Sequence, residues 1–200
     1  MSGKNKPSGG KILRIIGGSL RGRKIKLSAR FSGRPTRDMV REALFSIIGQ
    51  DIYRCVFLDL FAGSGANGFE AISRGASKAI LVDMSPVAIN SCIESANLFG
   101  VSSQVEIKRM EASRYLQRAN TDGQMFDIIF ADPPYEMKAD EFEAIIAGGS
   151  GCLSTNGILI VEVASNAVYP EHIAELEKYK ERTYGGTKLC FYKRALPGNV

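Results

Sequence analysis

Three aspartates follow apolar runs that are typical of buried strands. Asp59 ends the run before a glycine-rich turn, Asp83 ends the next run, and Asp132 opens the sequence Asp-Pro-Pro-Tyr directly after residues 126–131. In an open α/β sheet, ligands bind outside the carboxyl ends of the strands. The positions of these three carboxylates therefore predict a ligand site at that edge of a sheet.

The glycine-rich turn, residues 63–68, reads Gly-Ser-Gly-Ala-Asn-Gly and fits the pattern G-x-G-x-x-G. It follows a predicted strand and precedes a predicted helix, and Asp83 ends the next strand, where a ribose-binding acid is expected. A tight turn without any ligand is the alternative interpretation. The placement of turn, helix and acid together favours a nucleotide-like ligand.

The charge of Asp59 distinguishes between possible nucleotides. Asp59 lies four residues before Gly63 and faces the same crevice. A carboxylate there would repel the pyrophosphate that a dinucleotide brings to the helix N-terminus. S-adenosylmethionine carries an ammonium, a sulfonium and no phosphate, so we predict this cofactor. Glu111, after the third strand, is a candidate acceptor for the adenine amino group, or simply an acid at a helix N-terminus.

The sequence Asp132-Pro-Pro-Tyr135 predicts a stiff loop that holds a planar base. The two prolines fix two φ angles and remove two backbone donors. The Asp132 carboxylate and the Pro133 carbonyl are two acceptors that could hold both hydrogens of an exocyclic amino group, and Tyr135 offers a face for stacking. This arrangement favours direct methyl displacement by positioning and electrostatics, without a metal. A rigid turn after a strand is the alternative.

The composition is typical of a globular protein whose cysteines are reduced. Hydrophobic residues make up 44% of the chain and charged residues 24%, which is ordinary for such proteins. No stretch approaches the roughly 18–20 apolar residues of a membrane span, and the first residues lack the apolar segment of a secretory signal. The four cysteines are far apart in sequence and the single histidine is His172. We therefore expect reduced thiols, a cytoplasmic location and no metal site.

Positive charge is concentrated near the N-terminus. Residues 1–41 contain twelve Lys and Arg residues but only one acid. The whole chain has 26 Lys and Arg residues and 21 Asp and Glu residues. A basic segment on an acidic body predicts a polyanionic partner. Residues 1–10 are rich in Lys, Gly and Ser and are interpreted as a flexible basic tail.

The predicted elements alternate as in a doubly wound α/β protein. Two short strands within residues 12–27 and a helix capped by Thr36 come first. Strands are predicted at 55–60, 78–83, 104–109, 125–131 and 157–163, helices at 66–74, 85–98, 112–119, 138–147 and 170–178, and a hairpin around Gly185-Gly186. We expect a mostly parallel sheet with an antiparallel strand near one edge, preceded by an N-terminal segment over residues 11–50. The main domain is predicted over 51–200.

Four stretches carry a resemblance to a known family. They read RIIGGSLRGRK, RPTRDMVREALFSII, LDLFAGSGANGFEAISRGA and DPPY, and they occur in this order over about residues 12–135. With them the chain resembles the bacterial RsmD-like family, which methylates a guanine N2 in small-subunit rRNA. The glycine turn and DPPY are shared by many amino-group methyltransferases, whereas the two arginine-rich stretches are more specific. The last third is similar mainly in its strand pattern.

The resemblance implies a Rossmann-like class I methyltransferase fold with a seven-stranded sheet, and S-adenosylmethionine as donor with S-adenosylhomocysteine as product. It also implies 16S rRNA as partner, within the 30S subunit or an assembly intermediate, and nothing demands more than a monomer. The implied cofactor contacts are Asp59, Phe61, Ala62, Gly63, Ser64 and Gly65, then Asp83 and Met84 at the ribose and Glu111 and Ala112 at the adenine. Glu111 replaces a common Asp or Asn, and Asp83 replaces a Glu of some relatives.

The same resemblance assigns the catalytic loop and the RNA contacts. Asp132, Pro133, Pro134 and Tyr135 would hold the target amino group. Phosphate contacts, which position a nucleic acid without specifying its sequence, would come from Arg14, Arg21, Arg23, Arg34, Arg37 and Arg41.

Other functions remain open at this point. An adenine-N6 methyltransferase acting on DNA or RNA, or an enzyme methylating a protein glutamine, would use the same chemistry. DNA-reading enzymes usually carry a separate recognition region, for which 200 residues leave little room, and a basic arm does not suit a neutral protein loop. A non-enzymatic RNA-binding protein is disfavoured by the intact acidic and glycine positions. A nicotinamide oxidoreductase is disfavoured by Asp59.

Overall fold

The computed structural model describes residues 13–25, 38–134 and 137–195 of the chain. Continuous apolar runs form the strands at the centre of its sheet. The strands are β1 Leu13–Arg14, β2 Lys24–Ile25, β3 Val56–Asp59, β4 Lys78–Asp83, β5 Val105–Arg109, β6 Phe126–Ala131, β7 Leu153–Ala164, β8 His172–Ile173, β9 Leu176–Tyr184 and β10 Thr187–Arg194. β1 pairs with β2, and the other strands form one sheet in the order β5-β4-β3-β6-β7-β10-β9-β8.

The sheet is parallel from β5 to β7 and antiparallel beyond it. This confirms the predicted mixed sheet with its antiparallel strand near one edge. In the described residues the sheet has eight strands instead of seven, because the two-residue strand β8 adds to the edge. The five predicted central strands lie within four residues of the observed bounds.

Helices cover both faces of the sheet, as parallel strands require. They are α1 Asp38–Ile48, α2 Ala66–Ser73, α3 Pro86–Phe99, α4 Ala112–Thr121 and α5 Ala139–Ser150, with a 3-10 helix at Gly49–Ile52. One core joins α1, α2, α3 and the N-terminal hairpin to one face, and a second core joins α4 and α5 to the other. No helix among the described residues is long and apolar enough to cross a membrane.

The helix predicted at 170–178 is wrong. The chain there forms β8, a two-residue turn and the start of β9, in which Ile173 pairs with Leu176. Ala174 has φ 51°, a left-handed conformation that ends any helix at this point. Ile173 and Leu176 are both buried, and their spacing of three, which imitates a helix face, instead comes from a tight hairpin. Long pairing of β9 with β10 stabilises the strand.

The described part of the N-terminal hairpin is residues 13–25. Within it each strand has two residues, and Gly17 and Gly18 lie against the C-terminal end of α2. Gly18 has φ 73°, and a Cβ there would collide with the Ser73 carbonyl. The glycines therefore allow close backbone approach to α2. The predicted cap at Thr36 lies outside the described residues.

Candidate active site

Parallel strand order brings the three predicted aspartates to one edge of the sheet. β3 lies between β4 and β6, with Asp59 in register with Leu81 on one side and Phe130 on the other. Asp59 and Asp83 end their strands, and Asp132 follows the last residue of β6. The carboxylates of Asp83 and Asp132 both raise the pKa of Asp59, so all three groups interact. This is the crevice that the sequence predicts.

The glycine turn bends sharply between β3 and α2. Gly63 has φ 52° and Gly65 has φ 76°, and both values favour glycine. A Cβ on Gly65 would lie 2.7 Å from the Phe69 ring, and one on Gly68 would lie 2.1 Å from Leu81 Cδ2. The turn therefore needs glycine for its backbone angles and for close packing of α2 on β4.

Asp83 is held by backbone donors from two loops. One carboxylate oxygen accepts a hydrogen bond from the Gly63 N–H at 2.8 Å, and the other accepts one from the Ser85 N–H at 2.7 Å. Asp83 thus connects the glycine turn to the loop after β4. Each carboxylate oxygen has a further lone pair free to accept from a ligand hydroxyl. The position fits the ribose contact predicted for it, and Met84 beside it is exposed.

Asp59 carries the clearest signal for a cationic ligand. It is 1% exposed, and no donor of the described residues meets ordinary hydrogen-bond geometry at either oxygen, the Gly68 and Phe61 amides included. Burial, and then the charges of Asp132 and Asp83, raise its pKa well above the ordinary value; the Gly68 and Phe61 amides oppose this only partly. A buried carboxylate that lacks a partner is costly. An ammonium or sulfonium placed beside it would satisfy it, so these residues fit S-adenosylmethionine.

The DPPY loop begins in a partly enclosed position. Burial raises the pKa of Asp132 to about 7. Pro133 is half-buried and Pro134 is exposed, and the Pro134 carbonyl accepts a hydrogen bond from the Met137 N–H at 3.0 Å. The loop thus places beside Asp59 a carboxyl group that gains or loses its proton near neutral pH. Tyr135, predicted to stack on the base, lies outside the described residues.

The remaining predicted cofactor residues lie along the same crevice. The Ala62 N–H donates to the Val82 carbonyl at 2.9 Å, which joins the glycine turn to β4. Ser64 is buried in the turn, and the Phe61 ring packs edge-on against Phe142 at 6.1 Å. These contacts attach the turn to the core on the α4 and α5 side of the sheet, next to α5.

Glu111 directly precedes α4, and its side chain makes no capping hydrogen bond to the helix backbone. Its carboxylate accepts a hydrogen bond from the Ser113 hydroxyl at 2.6 Å, and Ala112 beside it is buried. Glu111 also lines a cavity of about 440 Å³ between α4 and α5, which none of the three aspartates lines. Its local hydrogen bond suits the alternative role as a helix-terminal acid, and the adenine contact stays a prediction.

The arginines predicted to contact phosphates have different surroundings. Arg14, Arg21 and Arg23 are exposed on the N-terminal hairpin. Arg23 donates to the Leu98 carbonyl at the end of α3, so its guanidinium lies across that helix end. Arg34 and Arg37 lie outside the described residues.

The structure corrects the prediction for Arg41. Its side chain has no exposed surface, and it donates to the Arg14 carbonyl at 2.6 Å and to Asp38 at 2.8 Å. Its Nε is 3.7 Å from a Glu70 carboxylate oxygen. A guanidinium enclosed in this way cannot reach a phosphate, and Arg41 instead joins the N-terminal hairpin to α1 and α2.

Glu70 is a residue whose importance the sequence does not reveal. It is completely buried in α2, where its carboxylate accepts from the Ile16 and Gly17 N–H groups at 2.7 and 2.8 Å. It also pairs with Arg74 at 2.7 Å. A buried acid four residues before an arginine looks like an ordinary surface pair in the sequence, and only the docked hairpin shows that it anchors the basic N-terminal segment to the helix of the glycine turn.

Comparisons with known proteins identify the family of this chain. The model of the family described as "Conserved hypothetical protein 95" matches residues 13–193. The chain belongs to this family, the RsmD family. Escherichia coli "Ribosomal RNA small subunit methyltransferase D" is 31% identical over 191 residues, covering 96% of this chain and 94% of that protein.

Solved structures extend the RsmD-family relationship to the fold. The Thermus thermophilus protein TTHA0928 has a TM-score of 0.79 and 30% identity, over 90% of this chain and 99% of that one. The structure of SMU.776 complexed with SAH has a TM-score of 0.64 and 18% identity, over 78% of this chain and 48% of that one. The fold is that of the class I methyltransferases, as the sequence predicts.

Proposed function

We propose that this protein transfers a methyl group from S-adenosylmethionine to the exocyclic N2 amino group of a guanine in small-subunit rRNA. The observation that carries the proposal is the pair formed by Asp59 and Asp132 at the carboxyl edge of β3 and β6. One is a buried carboxylate to which no described residue makes a hydrogen bond of ordinary geometry, and the other opens a proline-stiffened loop beside it. The first suits a cationic donor and the second suits an amino-group acceptor.

The chain's own residues bind and orient the two reactants. Asp59 would face the charged methionine part, Asp83 would accept from the ribose hydroxyls, and the glycine turn would allow the cofactor to approach the backbone closely. When bound, S-adenosylmethionine supplies a methyl carbon on a sulfonium, and the carbon–sulfur bond breaks with its electron pair staying on sulfur. No residue of the protein needs to form a covalent bond.

The DPPY loop prepares the acceptor amino group. The Asp132 carboxylate and the Pro133 carbonyl would accept its two N–H bonds, so that the nitrogen lone pair points toward the methyl carbon. As the new nitrogen–carbon bond forms, the nitrogen becomes positive and must lose a proton. Asp132, with a pKa raised to about 7 by burial, is placed to stabilise that charge and accept the proton near neutral pH.

The N-terminal segment would hold the RNA. Arg14, Arg21 and Arg23 present exposed cations on a hairpin that Glu70 fixes to α2. Phosphate contacts from these residues would set the position of the RNA over the crevice and make binding weaken steeply with salt. Residues 11–50 are accordingly proposed as an RNA-contacting unit, and the methyltransferase unit follows it. The E. coli relative is named for the same substrate.

Transfer of a labelled methyl group tests the proposal. The acceptors are unmethylated 30S subunits, naked small-subunit rRNA and duplex DNA, each digested afterwards to nucleosides. Label in N2-methylguanosine from 30S subunits or rRNA is the expected result, and the stronger acceptor of the two identifies the working substrate. Label in N6-methyladenine would keep the chemistry and overturn the base assignment. Absence of label in all three acceptors would overturn the proposed function.

A further inference from the structure

The loop over residues 165–171, which we call the Val168 loop, presents an isolated apolar side chain to solvent. Val168 is 96% exposed, whereas the next most exposed large hydrophobic residue in the described chain, Tyr53, is 62% exposed. A single exposed apolar residue is common on protein surfaces. What distinguishes Val168 is the number of bonds that fix the backbone on both sides of it.

Polar side chains hold the carbonyl groups that flank Val168. The Lys188 ammonium donates to the Ala167 carbonyl at 3.0 Å, and the Lys178 ammonium donates to the Tyr169 carbonyl at 3.1 Å. The Tyr192 hydroxyl donates to the next carbonyl, that of Pro170, at 2.7 Å. The three held carbonyls, one before Val168 and two after it, give Val168 a fixed position.

The two lysines are themselves enclosed and paired. Their side chains are 9% exposed for Lys178 and 14% for Lys188, and Glu181 lies 3.2 and 3.1 Å from them. Glu171 pairs with Lys178 at 2.7 Å. Enclosed ammonium groups are costly unless they are paired and hydrogen-bonded. Here both ammonium groups lie beneath the loop and donate hydrogen bonds to its backbone, so they order the loop.

The Val168 loop lies at the edge of the candidate active site. It follows β7, which runs parallel to β6 with Ala131 opposite Val161, so the loop leaves the same end of the sheet as Asp132. The Tyr169 ring lies 5.9 Å from Phe142, and Phe142 lies 6.1 Å from Phe61, just before the glycine turn. A single ring thus separates the loop from the cofactor turn.

We propose that the Val168 loop is part of the RNA-binding surface and that Val168 packs against a base or ribose next to the target nucleotide. This inference rests on the proposed function. A target base that turns into the DPPY loop leaves its neighbours unstacked, and proteins that unstack bases commonly place an apolar side chain in the gap. A side chain fixed before binding loses little conformational freedom when it makes this contact.

Kinetics of Val168→Ala and Val168→Asp test the inference, with Met125→Ala as a matched control. Met125 is also exposed but lies at the opposite end of β6. Because Val168 has no buried surface to lose, its variants should fold normally. Alanine removes two carbon groups, each worth roughly fourfold in binding when buried. We expect kcat/KM for the RNA acceptor to fall about 5- to 15-fold, and further with aspartate, while KM for S-adenosylmethionine is unchanged and Met125→Ala stays within about twofold of wild type.

The outcomes separate this inference from the proposed function. If wild-type protein transfers methyl to rRNA and Val168→Ala equals it within about twofold, the Val168 contact is wrong and the proposed function stands. If KM for S-adenosylmethionine rises as much as KM for RNA, Val168 acts on the cofactor and the inference is again overturned. If wild-type protein methylates no RNA, both fail together.

Discussion

Replacement of Asp132 by asparagine should abolish activity and make the protein more stable at alkaline pH. Burial raises the pKa of Asp132 from an ordinary 3.8 to about 7. At pH 8 the folded wild-type protein therefore holds an unfavourable charge that asparagine, of nearly the same shape, does not carry. Asparagine also turns one acceptor into a donor, which opposes the N–H groups of the substrate.

The size of the stability effect follows from the pKa change. At about 1.4 kcal/mol per pH unit, the rise from 3.8 to about 7 corresponds to an upper limit of roughly 4 kcal/mol. Asp132 is partly exposed, so water screens part of its charge, and the asparagine amide must itself be desolvated. We therefore expect the variant to gain about 1–3 kcal/mol in free energy of unfolding at pH 8.

The gain must depend on pH with a defined sign. Below about pH 4 Asp132 is protonated in both the folded and the unfolded chain, so its charge contributes no difference between variant and wild type. As pH rises toward about 7, the unfolded wild-type chain releases this proton before the folded chain does. Wild-type protein thus loses stability relative to the variant over this range, and the difference is constant above it.

Urea unfolding at about pH 5 and about pH 8, together with methyl transfer to rRNA, measures both effects. Asp122→Asn is the control, since Asp122 makes only a surface ion pair with Arg118, worth at most about 1 kcal/mol. Transfer by Asp132→Asn should fall at least about 100-fold. A stability gain that does not grow with pH would refute the account of the buried charge. Undiminished transfer would refute the role of Asp132 at the amino group.

Three further predictions concern the cofactor, the hairpin anchor and the RNA. Asp59→Asn should weaken S-adenosylmethionine binding about 10- to 100-fold by calorimetry, because a charge-assisted contact of about 1.5–3 kcal/mol is lost. Glu70→Gln should lower the free energy of unfolding by about 3–5 kcal/mol in urea titrations, because it leaves the buried Arg41 charge without its buried partner. Arg21→Ala and Arg23→Ala should each reduce the slope of log affinity for rRNA against log salt by about 0.7 while leaving cofactor affinity unchanged.

Each of these predictions has an internal control. S-adenosylhomocysteine lacks the sulfonium but keeps the ammonium, so a smaller loss of affinity would assign Asp59 to the sulfonium and an equal loss would assign it to the ammonium; unchanged affinity for both ligands would contradict the charge argument. Glu94→Gln changes an exposed glutamate of α3 and should leave stability nearly unchanged, and a similar small effect of Glu70→Gln would contradict the anchor. Arg118→Ala removes an exposed arginine of α4 and should leave the salt slope unaltered, whereas an equal change would show that any surface arginine matters.

The central fold and the acidic crevice were predictable because they depend on local patterns. Apolar runs that end in Asp59, Asp83 and Asp132 define both a strand and the residue at its carboxyl end. The glycine turn is equally local, since φ values of 52° and 76° at Gly63 and Gly65 select the residue type directly. All four cysteines are free and buried, in agreement with the reduced thiols expected.

Features that depend on distant partners were not predictable. The stretch around Ile173 and Leu176 has helical spacing, yet β10 provides a pairing partner and a left-handed Ala174 makes a hairpin instead. Periodicity alone cannot distinguish these outcomes, because the sheet neighbour is encoded elsewhere in the chain.

The amino-acid sequence by itself determined the alternation of strands and helices through β7 and the aspartates at the strand ends. Only the tertiary structure decided which charges are available. Arg41 belongs to the basic N-terminal segment in the sequence, but the docked hairpin and Glu70 enclose it completely. Asp59 is enclosed without a partner among the described residues. The physical reason is that elements distant in the sequence meet only after folding. Their packing sets how deeply each charged group is buried, and burial sets the strength of its electrostatic interactions.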